Sequence, residues 1–152
     1  MTVKAYWLPP GCAVQMTTEE VEVTRGDRRI TLEVPKPTPG DLRAIADHLR
    51  LARRRVLATR SVEQIMRSLD RTAALWLRPD YRPRLLARHT ISVVTGFSSE
   101  MVARAIELEQ AASRAPDMLA ALQRELGDAA ALDGFVRTAK GRSMAVGPEL
   151  VG

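Results

Sequence analysis

The chain has 152 residues, 45% hydrophobic and 27% charged, with one cysteine and a net charge of +5. That length suits one domain of ordinary size, and the apolar fraction suits a packed core, so wholesale disorder is excluded, and so is a transmembrane helix, which needs about 20 apolar residues in a row. One cysteine makes neither an internal disulfide nor a cysteine-built zinc site, and residues Met1–Gly11 lack the apolar core of a secretory signal, so a cytoplasmic setting is expected.

The first forty residues read as β structure. Val21, Val23, Ile30, Leu32 and Val34 alternate with polar residues around Gly26-Asp27. A two-residue turn there pairs Val23 with Ile30 and Val21 with Leu32 on one face, the register of an amphipathic hairpin over residues 20–34. Val3 to Leu8 is a further candidate strand, broken by Pro9, Pro10 and Gly11. Pro35-Lys36-Pro37-Thr38-Pro39 follows as an extended connector, because proline fixes φ and removes backbone donors.

Residues 41–140 read as helical. Leu42, Ile45, Ala46, Leu49, Val56 and Leu57 predict a helix from Asp41 to Ala58. Ser61 with Gln64 forms a capping-box pattern ahead of a stripe of Val62, Ile65, Met66, Leu69, Ala73, Trp76 and Leu77. A third helix is expected from Pro83 to Thr95, stopped by Gly96. Ser98 caps a fourth, with Met101, Val102, Ala105, Leu108 and Ala112 as its expected buried face. Pro116 opens a fifth that carries Met118, Leu119, Leu122 and Leu126 and ends at Gly127. Leu132 to Ala139 is expected to add a turn or two of helix, and residues 141–152 to be an extended tail. The fold class expected is therefore α+β: N-terminal strands with a hairpin, then a mainly helical segment.

Charge is uneven along the chain. Arginine supplies 20 of the 23 basic residues, and residues 41–91 hold twelve arginines against five acids. Such a middle suits phosphate-bearing partners, or simply solvated helix faces. Aromatics are only 4%, which argues against stacking platforms for single-stranded nucleic acid. Arg53-Arg54-Arg55 and the later arginines are spread over several helices, so a stand-alone basic helical module, interacting with protein or duplex DNA, stays as the alternative reading.

Chemistry-bearing residues are few. Cys12 follows Pro9-Pro10-Gly11 with no local base to activate a thiol. His48 and His89 lack a second ligand at metal spacing. The pairs Glu19/Glu20 and Glu107/Glu109 read as solvated carboxylates, since acid–base work requires burial to shift one of them. Gly96-Phe97-Ser98-Ser99-Glu100 looks like a phosphate loop but is equally a helix stop followed by a helix cap. No dinucleotide or P-loop glycine motif occurs. No catalytic, cofactor-binding or metal-binding residue is assigned.

Three segments in order carry a resemblance. They are Ser68-Leu69-Asp70-Arg71 through Trp76-Leu77 to Tyr81, then Thr95-Gly96-Phe97-Ser98-Ser99-Glu100-Met101-Val102, then Ala145-Val146-Gly147-Pro148-Glu149-Leu150-Val151. Together they resemble the N-terminal region of the LuxC-type long-chain acyl-CoA reductases, the fatty acid reductase component of bacterial bioluminescence systems, which are similar to aldehyde dehydrogenases in fold. The resemblance implies NADPH-dependent reduction of a fatty acyl-CoA, or of an acyl group from a carrier protein, to an aldehyde through a cysteine thioester. It implies that the catalytic cysteine and the cofactor loop lie beyond the matched segment. The chain is thus expected to be an N-terminal fragment, inactive alone, that can homo-oligomerise. In an intact enzyme its basic residues 43–88 are candidates for attracting CoA or NADPH phosphates.

Overall fold

The computed structural model describes residues 1–137 and Ser143–Met144. Short strands come first: β1 (Thr2–Lys4), β2 (Thr17–Arg25) and β3 (Arg28–Lys36). They form one sheet in the order β1-β3-β2, with β1 parallel and β2 antiparallel to the central β3. The hairpin closes on Gly26-Asp27 in the expected register, Val23 opposite Ile30 and Val21 opposite Leu32. Gly26 has φ of +61° and Asp27 does not enter positive φ, the pattern of a II′ turn, whose twist suits paired strands. The hairpin is longer than residues 20–34. β1 is shorter than the strand expected over Val3–Leu8, its residues paired with β3 being Thr2–Lys4. Pro35 lies within β3, opposite Thr18, so the proline-rich connector is partly strand.

Among the described residues five α-helices follow: α1 (Pro39–Arg55), α2 (Val62–Leu77), α3 (Arg82–Thr95), α4 (Ser99–Ala112) and α5 (Ala115–Leu126). The fold class is α+β, as the sequence implies. α1 begins at Pro39, where the fixed φ suits the first helical turn, and the Asp41 carboxylate accepts hydrogen bonds from the Thr38 N–H and hydroxyl, both at 2.8 Å. It ends at Arg55 instead of Ala58, and a 3₁₀ turn over Leu57–Thr59 follows. The Ser61–Gln64 capping box at α2 is formed in both directions. Gly96 and Gly127 stop their helices at φ of +81° and +76°.

The chain divides into two compact units. The first holds Met1–Arg54 with Arg82–Arg104, the second Arg55–Tyr81 with the residues from Ala105 onward. In the first, α3 packs on β2 and β3, and Ile30 and Val93 are fully buried. In the second, α5 packs against α2, and Ala73 and Ala131 are buried.

Two expectations are corrected. Only Val102 of the fourth helix's apolar face is buried, while Met101 and Leu108 are 58% and 56% exposed. Periodicity marks which side of a helix is apolar, not whether anything covers it. Within the helix expected over Leu132–Ala139, the described residues, up to Arg137, do not continue as helix. A 3₁₀ turn ends at Leu132, and β4 (Val136–Arg137) pairs antiparallel with β5 (Ser143–Met144). β-branched Val136 beside the exposed Phe135 fits a strand better than a helix. Of the tail expected to be extended, only Ser143–Met144 lie within the described residues.

Candidate functional site

The segments that carry the resemblance are built by local capping chemistry. α2 ends at Leu77, and Trp76 meets Tyr81 edge to face with ring centroids 5.8 Å apart. Between them Arg78 grips Asp80 through two bonds of 3.1 and 2.8 Å. The guanidinium holds the Asp80 carboxyl below the ordinary carboxylate range, and Asp80 in turn raises Arg78. The Trp76–Tyr81 segment is therefore a closed turn at the end of α2.

Asp70, in the same segment, takes a different partner. Its carboxylate accepts bonds from the Arg114 guanidinium, at 2.6 and 3.3 Å, and from the Ala115 N–H at 3.0 Å. Arg114 and then Ala115 lower its pKa. Asp70 thus satisfies a free N–H at the start of α5 from the side of α2. Asp133 does the same for α2, accepting from the Val62 N–H at 2.8 Å. Sequence reasoning missed both, because the partners are 45 and 71 residues away.

The Thr95–Glu100 segment shows how far it can act as a phosphate loop. Arg25, at the end of β2, donates from Nε to the Val93 carbonyl and from Nη2 to the Val94 carbonyl, each at 3.3 Å. Its charge sits at the negative end of α3. A Cβ on Gly96 would lie 2.9 Å from Arg25 Nη1, so the space beside the glycine is filled by this chain's own side chain. Ser98 Oγ accepts from the Met101 N–H, and Thr95 Oγ1 accepts from the Phe97 N–H. The turn is a helix stop followed by a helix cap. These residues do not fit the pyrophosphate of a nicotinamide dinucleotide.

The other candidates are dispersed. Cys12 is half-buried, and its N–H donates to the Pro9 carbonyl in a turn whose Gly11 sits 3.7 Å (Cβ position) from His48 Cε1. His89 is exposed on α3. Glu19 pairs with Lys36, and Glu20 lies opposite Glu33. Glu109 is exposed and Glu107 half-buried on α4. Arg53, Arg54 and Arg55 are exposed, whereas Arg84 is 6% exposed, an exception to the reading of the arginines as solvated. Among the described residues no three His, Cys, Asp or Glu side chains group as a metal site requires. No helix among them is long and apolar enough to cross a membrane.

A family model, Acyl-CoA reductase (LuxC), matches residues 57–151. The chain belongs to the LuxC acyl-CoA reductase family. No curated protein and no solved structure matches it. The LuxC match takes in the Trp76–Tyr81 turn, the Gly96 turn and the Gly147-Pro148 segment, the last outside the described residues. Acyl-CoA reduction requires a hydride donor, so family membership implies a nicotinamide cofactor. The family match gives the DNA-binding alternative no support.

Proposed function

We propose that the chain is the N-terminal portion of an NADPH-dependent fatty acyl-CoA reductase that converts a long-chain acyl-CoA to the aldehyde. Its helical segment packs beside the domains that do the chemistry and carries neither chemical step itself. One observation supports this above others: the LuxC match covers residues 57–151, and no cysteine lies in that span. An acyl thioester needs a thiolate, and Cys12 stands outside the match with no base supplied by its own turn. In the Gly96 turn, which resembles a phosphate loop, the space beside the glycine is filled by Arg25. A cytoplasmic location, an acyl-CoA or acyl-carrier partner, and homo-oligomer formation belong to the same reading.

The test has two arms. The purified 152-residue protein, given a long-chain acyl-CoA and NADPH, is expected to consume no NADPH. The DNA downstream of its coding region is expected to encode a glycine-rich strand–turn–helix and a cysteine, and co-expression of that product is expected to restore aldehyde formation. A monodisperse monomer that reduces acyl-CoA by itself overturns the proposal, as does an unrelated gene downstream.

A further inference from the structure

α1 carries two adjacent ridges. Leu42, Ala46, Leu49 and Arg53 follow one another at four- and three-residue steps, and Arg43, Asp47, Arg50 and Arg54 run beside them at the same steps. Leu42 and Leu49 are 55% and 49% exposed, the four arginines are exposed, and no residue of α1 is buried. The helix is held along the side where Ile45, His48 and Ala52 are half-buried and His48 lies against Gly11; Ala46, between the two exposed leucines, is half-buried as well. Asp47 bonds Arg50 at 3.0 Å. Among the described residues Arg43, Arg53 and Arg54 make no ion pair.

The open face therefore presents four guanidinium groups and one carboxylate around two leucines. Its chemistry complements a surface that is anionic at the top and apolar just beneath. Guanidinium is weakly hydrated and matches phosphate oxygens in bidentate geometry. A helix with a basic face and a leucine stripe lies in the plane of a bilayer interface, with the apolar side in the acyl boundary. We propose that α1 docks this protein on anionic phospholipid bilayers, with Leu42 and Leu49 entering the acyl boundary and Arg43, Arg50, Arg53 and Arg54 meeting the lipid phosphates. The inference rests on α1 alone and is independent of the reductase reading.

The experiment is co-sedimentation of the full chain with vesicles of phosphatidylcholine plus phosphatidylglycerol, against phosphatidylcholine alone. Binding is expected to the anionic vesicles only, and to be lost in about 1 M salt, where the screening length falls to about 3 Å. The variant R43E/R50E/R54E is expected to bind on the order of a hundredfold more weakly with an unchanged far-ultraviolet circular dichroism spectrum. Leu49→Trp, which leaves every charge in place, is expected to shift its fluorescence to the blue on anionic vesicles, and covers the case in which the triple variant fails to fold. Equal binding to neutral vesicles, no binding, or no blue shift overturns the proposal. So does a triple variant that instead abolishes self-association or a duplex-DNA mobility shift while vesicle binding is absent.

Discussion

Arg25 and Gly96 show how two distant residues settle one turn. The arginine closes the carbonyl end of α3, and the glycine adopts the left-handed conformation that lets the chain leave beneath it. Arg25→Ala removes two charge-assisted bonds and is expected to cost ~1 kcal/mol, given how exposed the side chain is. Gly96→Ala forces a Cβ into positive φ and against the guanidinium, for ~1–2 kcal/mol. Urea unfolding of the double variant is expected to show less than the sum, because removing Arg25 opens the space the new methyl needs; strict additivity would refute the coupling. Asp70 makes a prediction in pH. Its native pKa is lowered by Arg114 and then by Ala115. On acidification the unfolded chain therefore takes up the proton first. The stabilisation is complete above the ordinary carboxylate pKa, near 4, and is lost as pH falls through the lower native value. Unfolding midpoints measured from neutral pH to strong acid are expected to fall less steeply for Asp70→Asn than for the parent protein. Asp41 and Asp80, lowered for similar reasons, keep part of the slope.

At the level of elements, α2 is set by two caps of different origin. Ser61 and Gln64 cap each other across three residues, and Asp133 reaches the next N–H from far along the chain. Ser61→Ala is expected to cost ~1 kcal/mol. Asp133→Ala leaves the N–H of the nearly buried Val62 without a partner and is expected to cost ~1–2 kcal/mol. Both are read from urea midpoints, and a neutral Asp133→Ala would show that water replaces the carboxylate at no cost. This contrast also marks what the sequence made legible. The hairpin register, the Ser61 cap and the stops at Gly96 and Gly127 were readable because turn and cap chemistry lies within a few residues. The caps from Asp70 and Asp133, the Arg25 bonds and the burial of Arg84 were not, because each depends on tertiary neighbours that no local pattern encodes. Strand β4 was missed for a related reason: a two-residue strand has no period to detect, and its partner, Ser143–Met144, is not contiguous with it in sequence.

Across the whole molecule, apolar surface is the property that most constrains behaviour in solution. α4 leaves Met101 and Leu108 open, two turns apart on one side of the helix, and Phe135 is 84% exposed ahead of β4. Neighbouring exposed apolar groups favour association, because pairing them removes both from water at about 25 cal/mol per Å². The protein is therefore expected to self-associate, with a sedimentation coefficient that rises with concentration. Met101→Lys with Leu108→Lys places two like charges on that side. The pair is expected to lower the association while moving stability by no more than about 0.5 kcal/mol, since neither side chain contributes to a buried core. A parent protein that stays monomeric across the concentration series would show that these residues are isolated spots on a solvated surface. Loss of the folded signal in the double variant would show instead that α4 draws stability from them. If association falls and the unfolding midpoint holds, α4 presents an interface. In the acyl-CoA reductase reading its natural cover is the remainder of the enzyme, so co-expression with the downstream product is then expected to suppress self-association of the parent chain as effectively as the lysines do.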